Sequence, residues 1–161
     1  MNRGERKEFV ASHRIAIFGY GRREDGPAMT VVYYVVDGDD ILVSTMAARA
    51  KARAVERNQK VSLCVLDEQW PPTYVQVSCN AKVVTDPDAN VDLAMRIAGV
   101  MAGSPMPEDV RPIIAEGVSK ENRVVLRLTP YATFETPSRH VHSTDDLNEN
   151  LVHGLGTSLP W

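Results

Sequence analysis

Residues 29–45, reading Met-Thr-Val-Val-Tyr-Tyr-Val-Val-Asp-Gly-Asp-Asp-Ile-Leu-Val-Ser-Thr, restrict the fold more than any other stretch. Met29–Asp37 is almost unbroken β-branched and aromatic residues, which predicts a strand buried on both faces. Asp37-Gly38-Asp39-Asp40 holds the Asp-Gly pair that a two-residue hairpin favours, because glycine takes positive φ without strain. Ile41–Thr45 then returns as the next strand, so the first pairing is antiparallel.

The other elements follow from period and punctuation. Glu5–Ser12 reads as a short helix anchored by Phe9 and Val10, and Arg14–Tyr20 as a strand closed by Gly21. Asp25-Gly26-Pro27 is a turn signal. Ala47–Gln59 lacks Gly and Pro and sets Ala48, Ala52 and Val55 on one face, as a helix does. Val61–Leu66 is a strand, Asp67–Pro72 a turn, and Thr73–Thr85 a long strand with its apolar residues mostly at odd positions. Asp86 is placed to cap a helix over Ala89–Met101, and Pro105–Asp109 opens another through about Gly117. Val124–Leu128 is a strand that Thr133–Glu135 extends beyond a bend at Pro130.

No regular element is expected over His140–Trp161. The six strands, with one helix among them early and two late, predict a mainly β domain of α+β type closed into a barrel. That domain spans residues 1–136, and residues 137–161 form a tail packing on it or on a dimer partner.

Composition narrows function by exclusion. The formal net charge of −3 lacks the basic surplus that a dedicated nucleic-acid binder needs. Cys64 and Cys79, the only cysteines, both lie in apolar runs, fit no common zinc spacing and predict two buried thiols in a reducing compartment. No apolar run approaches the roughly 20 residues that cross a bilayer. A soluble, cytoplasmic protein is expected.

The chemistry-bearing segment is Ser44–Lys60. Arg49, Lys51, Arg53, Arg57 and Lys60 are opposed only by Glu56 and follow two hydroxyls, Ser44 and Thr45, at a strand end. A helix N-terminus with hydroxyl and cationic side chains has the parts to hold a phosphate. Taken alone, the same cluster also reads as the solvated face of an exposed helix.

In order and spacing, the chain resembles the flavin- and deazaflavin-binding split-barrel superfamily that includes pyridoxamine 5′-phosphate oxidase. The pieces that carry the resemblance are Asp25-Gly26-Pro27, Val35-Val36-Asp37-Gly38-Asp39, Ser44-Thr45 with Lys51, Val61–Val65, and Asp67-Glu68 through Pro71-Pro72 to Tyr74–Val77. They look closest to the branch that uses the deazaflavin coenzyme F420. The resemblance implies a six-stranded antiparallel split β-barrel of the FMN-binding type, forming a homodimer with the cofactor between subunits. It places Thr45 and Lys51 at the cofactor phosphate with Ser44 adjacent, and Met29, Thr30, Val31 and Val32 beneath the ring system. Arg49, Arg53 and Arg57 would serve an acidic tail on the deazaflavin.

The activity implied is hydride transfer between bound F420 and a small unsaturated organic substrate. The alternatives are an FMN-dependent oxidase or reductase and a non-catalytic flavin- or haem-binding module. Cys79 or Asn80 stands where the family carries a glycine, which is expected to narrow the site.

No catalytic constellation shows. Tyr33, Tyr34 and Tyr74 read as core or interface aromatics, one of which could donate a proton toward the ring. Trp70 is a candidate to pack over the groove, His13 reads as a surface or capping residue, and Arg3, Arg6 and Lys7 read as a solvated end. His140 and His142, near Asp145 and Asp146, form the one metal-like spacing, and no metal site is expected there.

Overall fold

The computed structural model describes residues 1–69, 73–135 and 157–161. The chain opens with α1 (Arg3–Ser12), set by a reciprocal cap: the Asn2 side chain accepts from the Glu5 amide at 2.9 Å while the Glu5 carboxylate accepts from the Asn2 amide at 2.6 Å. His13 ends it, with Nδ1 2.7 Å from the Phe9 carbonyl. Then come β1 (Ile15–Tyr20), β2 (Ala28–Tyr33), β3 (Val35–Asp37), β4 (Asp40–Met46), α2 (Ala50–Arg57), β5 (Lys60–Asp67) and β6 (Thr73–Val84). They are followed by α3 (Pro87–Ala102), a 3₁₀ turn at Glu108–Val110, α4 (Arg111–Lys120), β7 (Arg123–Glu135) and β8 (Thr157–Pro160).

The strands form one antiparallel sheet in the order β2-β1-β5-β6-β7-β4-β3, with β8 also on β7. The sheet curls around Phe18, Ile41, Val43, Leu63, Val75 and Leu126 into a half-barrel. Alternation in β6 puts Val75, Val77, Cys79 and Ala81 inside, as their odd register predicts.

Two expectations about strands need correction. Met29–Asp37 is not one strand buried on both faces. It splits at Tyr34, where the chain leaves one edge of the sheet at β2 and joins the other at β3. Tyr34 is buried and its hydroxyl donates to the Val10 carbonyl, fixing the crossing. The outward side chains of β2 stay exposed, Met29 by 72% and Val31 by 67%.

The C-terminal stretch also contains a strand. β8 pairs Thr157 with Glu135 and Pro160 with Ala132, and buried Trp161 donates its indole N–H to the Asp39 carbonyl at 3.2 Å. With these two changes the six expected strands become eight. Pro130 does not end β7. Cys79 pairs with Pro130 and Ser78 with Ala132, so Tyr131 is the extra residue of a bulge where proline supplies no N–H.

Arg6 is not part of a solvated end. It is buried, and its guanidinium donates to the carbonyls of Met1 and Pro160, both at 2.9 Å. Lys7 beside it binds Asp39 at 2.6 Å and lies 5.1 Å from the Trp161 ring centroid. Cys64 is half-exposed on the outer face, whereas Cys79 is fully buried.

Helix α3 lays Leu93 and Ile97 on Val35, Leu42 and Val125 across the outer side of β3, β4 and β7. Its start is fixed by Asp86, whose carboxylate accepts from the Ala89 amide at 2.7 Å. Asp86→Ala is expected to lower unfolding free energy by about 1 kcal/mol, read from chemical denaturation midpoints.

Candidate functional site

Edge strands β2 and β3 are joined by the chain but not by a hydrogen-bonded ladder, so the barrel is split beside β2. A cleft of about 390 Å³ is lined by Thr30 of β2, Tyr20 at the end of β1, Ser44–Met46 at the end of β4, Arg49–Lys51 at the start of α2, and Arg123 at the start of β7. Three of these residues are cations and none is a carboxylate.

Each lining side chain has a local reason for its place. Helix α2 starts later than the sequence suggests, at Ala50, because Met46–Arg49 first makes a turn closed by the Arg49 amide on the Met46 carbonyl at 3.0 Å. No side chain caps α2, so its first amides carry the usual unpaired polarity of a helix start. Lys51 stands on that first turn, and burial, with Arg49 adding repulsion, holds its ammonium below the usual lysine range. Ser44 accepts a hydrogen bond from the Arg123 guanidinium at 3.2 Å. Thr45 is buried. Thr30 contributes the most telling atom, a buried Oγ1 with no hydrogen-bond partner among the described residues. An unpaired buried hydroxyl costs free energy until something binds it.

Arg123 is the lining residue that sequence reading missed. Asn122 takes φ 47° between α4 and β7, a conformation asparagine tolerates, and its carbonyl accepts from the Ala47 amide at 3.0 Å. That clamp, with the pairing of Met46 to Arg123, brings the start of β7 against the α2 turn. Arg123 is also held by Glu121, 2.5 Å away. An Asn directly after a helical stretch is the only local signal for this turn.

The other candidate residues lie outside the cleft. Arg53 and Arg57 are exposed farther along α2, with Arg57 donating to the Gly21 carbonyl at 3.3 Å. Val32 points into the barrel core, while Met29 and Val31 face outward from β2 beside the cleft. Cys79 lies in the core and Asn80 is exposed on the strand pairing with Lys60 and Thr129. Neither side chain lines the cleft, so the expected narrowing does not occur there. Among the tyrosines, Tyr34 is buried and gives its hydroxyl proton to the Val10 carbonyl, and burial raises its pKa. Trp70 and the His140–His142 spacing lie outside the described residues. Among the described residues no three metal-ligating side chains gather, and no helix is long and apolar enough to cross a membrane.

Three cations, an unpaired hydroxyl and an uncapped helix start suit an anion of phosphate type. An anion there favours protonated Lys51, so binding weakens as pH rises through the lysine's lowered pKa. Phosphate affinity is expected to decline at a lower pH than an ordinary lysine would impose, and Lys51→Arg is expected to flatten that decline. Calorimetric titrations across the alkaline range read both.

The family model described as pyridoxamine 5′-phosphate oxidase matches residues 3–136. The chain belongs to this family. Solved structures agree with that family's fold. A conserved hypothetical protein of Mycobacterium tuberculosis, Rv2991, superposes with a TM-score of 0.73 at 21% identity, covering 90% of this chain and 94% of that one. An F420 reductase superposes with a TM-score of 0.63 at 19% identity, covering 79% of this chain and 94% of that one. A FAD-binding protein from Mesorhizobium loti gives 0.62 at 14% identity, covering 83% and 92%. No curated protein matches the sequence significantly. At these identities the neighbours establish the fold alone, the pyridoxamine 5′-phosphate oxidase-like split barrel.

Proposed function

We propose that the protein is an oxidoreductase that binds a phosphorylated flavin-type cofactor, coenzyme F420 in preference to FMN. The observation that carries this reading is the cleft at the split in the barrel, with cations but no carboxylate and with Thr30 Oγ1 unpaired. Arg49, Lys51 and Arg123 would hold the cofactor's phosphate, and Thr30 would donate its hydroxyl to it. The free edge of β2 offers backbone donors and acceptors to a flat heteroaromatic ring, as such a ring requires. When bound, the cofactor supplies hydride transfer to or from a small unsaturated organic substrate.

Tyr34 is engaged at Val10; in this reading solvent completes protonation, and the chain's own residues bind, orient and exclude water. The preference for F420 is supported by Arg53 and Arg57, which extend positive charge along α2 beyond the cleft toward where an acidic tail would run. A structural neighbour named as an F420 reductase points the same way.

A homodimer is part of this reading. Ile15 and Ile17 of β1, Met29, Val31 and Tyr33 of β2, and Leu66 of β5 make an exposed apolar sheet face. Such a patch on a small domain marks an interaction surface. A second copy on it would bury these side chains and wall the open side of the cleft.

The test is titration of the purified protein with F420 and, separately, FMN, followed by cofactor fluorescence at two salt concentrations. Tight, salt-sensitive F420 binding supports the proposal, and FMN binding alone moves the protein to the flavin branch. Binding of neither overturns it.

A further inference from the structure

A second cleft, of about 990 Å³, opens between the α1–β1 turn, β3 and the helix α3 with its following loop. It begins at Tyr34, four residues along the chain from Thr30, or roughly 13 Å of extended backbone. The second cleft therefore lies beyond the Tyr33 end of β2, while the first lies along its first half, at Thr30 and at Tyr20 opposite Ala28. One wall is apolar, built from Tyr34, Val35, Met95, Gly99, Val100 and Met106. Gly99 keeps this wall close: a Cβ there would stand 3.1 Å from the Ser104 carbonyl oxygen.

Cations also line this cleft, but they are spent. Arg96 binds Asp37 at 3.0 Å and the Val36 carbonyl at 2.7 Å. Arg111 binds Asp92 at 2.6 Å and Glu108 at 2.7 Å. His13 gives one ring nitrogen to Phe9 and sets the other 3.9 Å from Asp67. Arg14 alone lacks a carboxylate partner among the described residues, and it is exposed, where a single guanidinium holds an anion weakly. An entering anion would meet the carboxylates of Asp92 and Glu108 and displace pairs already made.

We infer that this second cleft takes an uncharged, largely apolar small molecule and discriminates against phosphate esters and other anions. The first cleft differs: Arg123 there binds Glu121, but Arg49 and Lys51 make no ion pair among the described residues, and no carboxylate lines the cleft. On the function proposed above, the occupant is the substrate, lying against the far end of the strand that carries the ring. The binding itself needs no cofactor, so its test stands apart from that reading.

The probes are N-phenyl-1-naphthylamine, which is uncharged, and 8-anilinonaphthalene-1-sulfonate, an anion of similar shape. Both are titrated by fluorescence into the cofactor-free protein. Val100→Trp, which fills the cleft, is expected to weaken the uncharged probe at least tenfold, and Lys51→Ala to leave it unchanged. Met106→Trp, on the following loop, asks the same question should Val100→Trp fail to fold. The anionic probe is expected to bind at least tenfold more weakly than the neutral one. Three results would each overturn the inference: no loss of the neutral probe in either tryptophan variant, loss in Lys51→Ala, or equal binding of the two probes. Failure of F420 and FMN to bind while the neutral probe behaves as stated would sink the proposed function and leave this inference standing.

Discussion

Lys51→Ala is expected to weaken cofactor binding by about 10- to 100-fold while leaving the protein folded. The magnitude follows from the loss of a charge-assisted hydrogen bond to phosphate, about 1.5–3 kcal/mol, at about 1.4 kcal/mol per tenfold. Burial already depresses the lysine's pKa in the free protein, so its removal relieves a cost there and removes a benefit only in the complex. Affinity should therefore fall while the denaturation midpoint holds or rises. A parallel loss of both would mean that Lys51 supports the α2 turn and does not hold the anion. The salt dependence of binding should also become shallower, since one fewer cation faces the ligand.

Ile17→Lys is expected to convert a dimer into a monomer at micromolar concentration. Ile17 pairs with Val31 on one side and Cys64 on the other, at the centre of the exposed apolar face. It is already 37% exposed, so a lysine there is compatible with the folded subunit. Two lost apolar contacts and two charges trapped in the interface should cost about 4 kcal/mol or more, roughly a thousandfold in dissociation constant. Sedimentation velocity on wild type and variant reads this directly. A wild type that sediments as a monomer would remove the dimer from the proposed function.

What could be read from the sequence was what neighbouring residues decide together. The Asp37–Asp40 hairpin, the odd register of Val75, Val77 and Cys79, and the Asp86 cap each need only a few consecutive positions. That Ser44, Thr45 and Lys51 come together along one cleft was legible for the same reason, since Ser44 through Lys51 are continuous in the chain. Misreadings arose where distant residues decide. Met29–Asp37 looks buried on both faces because apolar character does not say whether the cover is the chain's own core or another surface. Arg123 reaches Ser44 through the β4–β7 pairing across 79 positions, which no local pattern encodes. Arg6 is buried by Pro160, 154 positions away, and β8 exists only as a partner for β7.

The crossing at Tyr34 leaves this barrel with a seam. Elsewhere adjacent strands are laced by ladder bonds, and spreading them would break several cooperatively. Between β2 and β4 only side chains meet, so parting them there sacrifices packing but no backbone bond. Among the described residues this seam joins strands without a ladder, and the cationic cleft lies beside it. On the function proposed above, a long cofactor would enter along this seam, where parting the strands breaks no ladder bond.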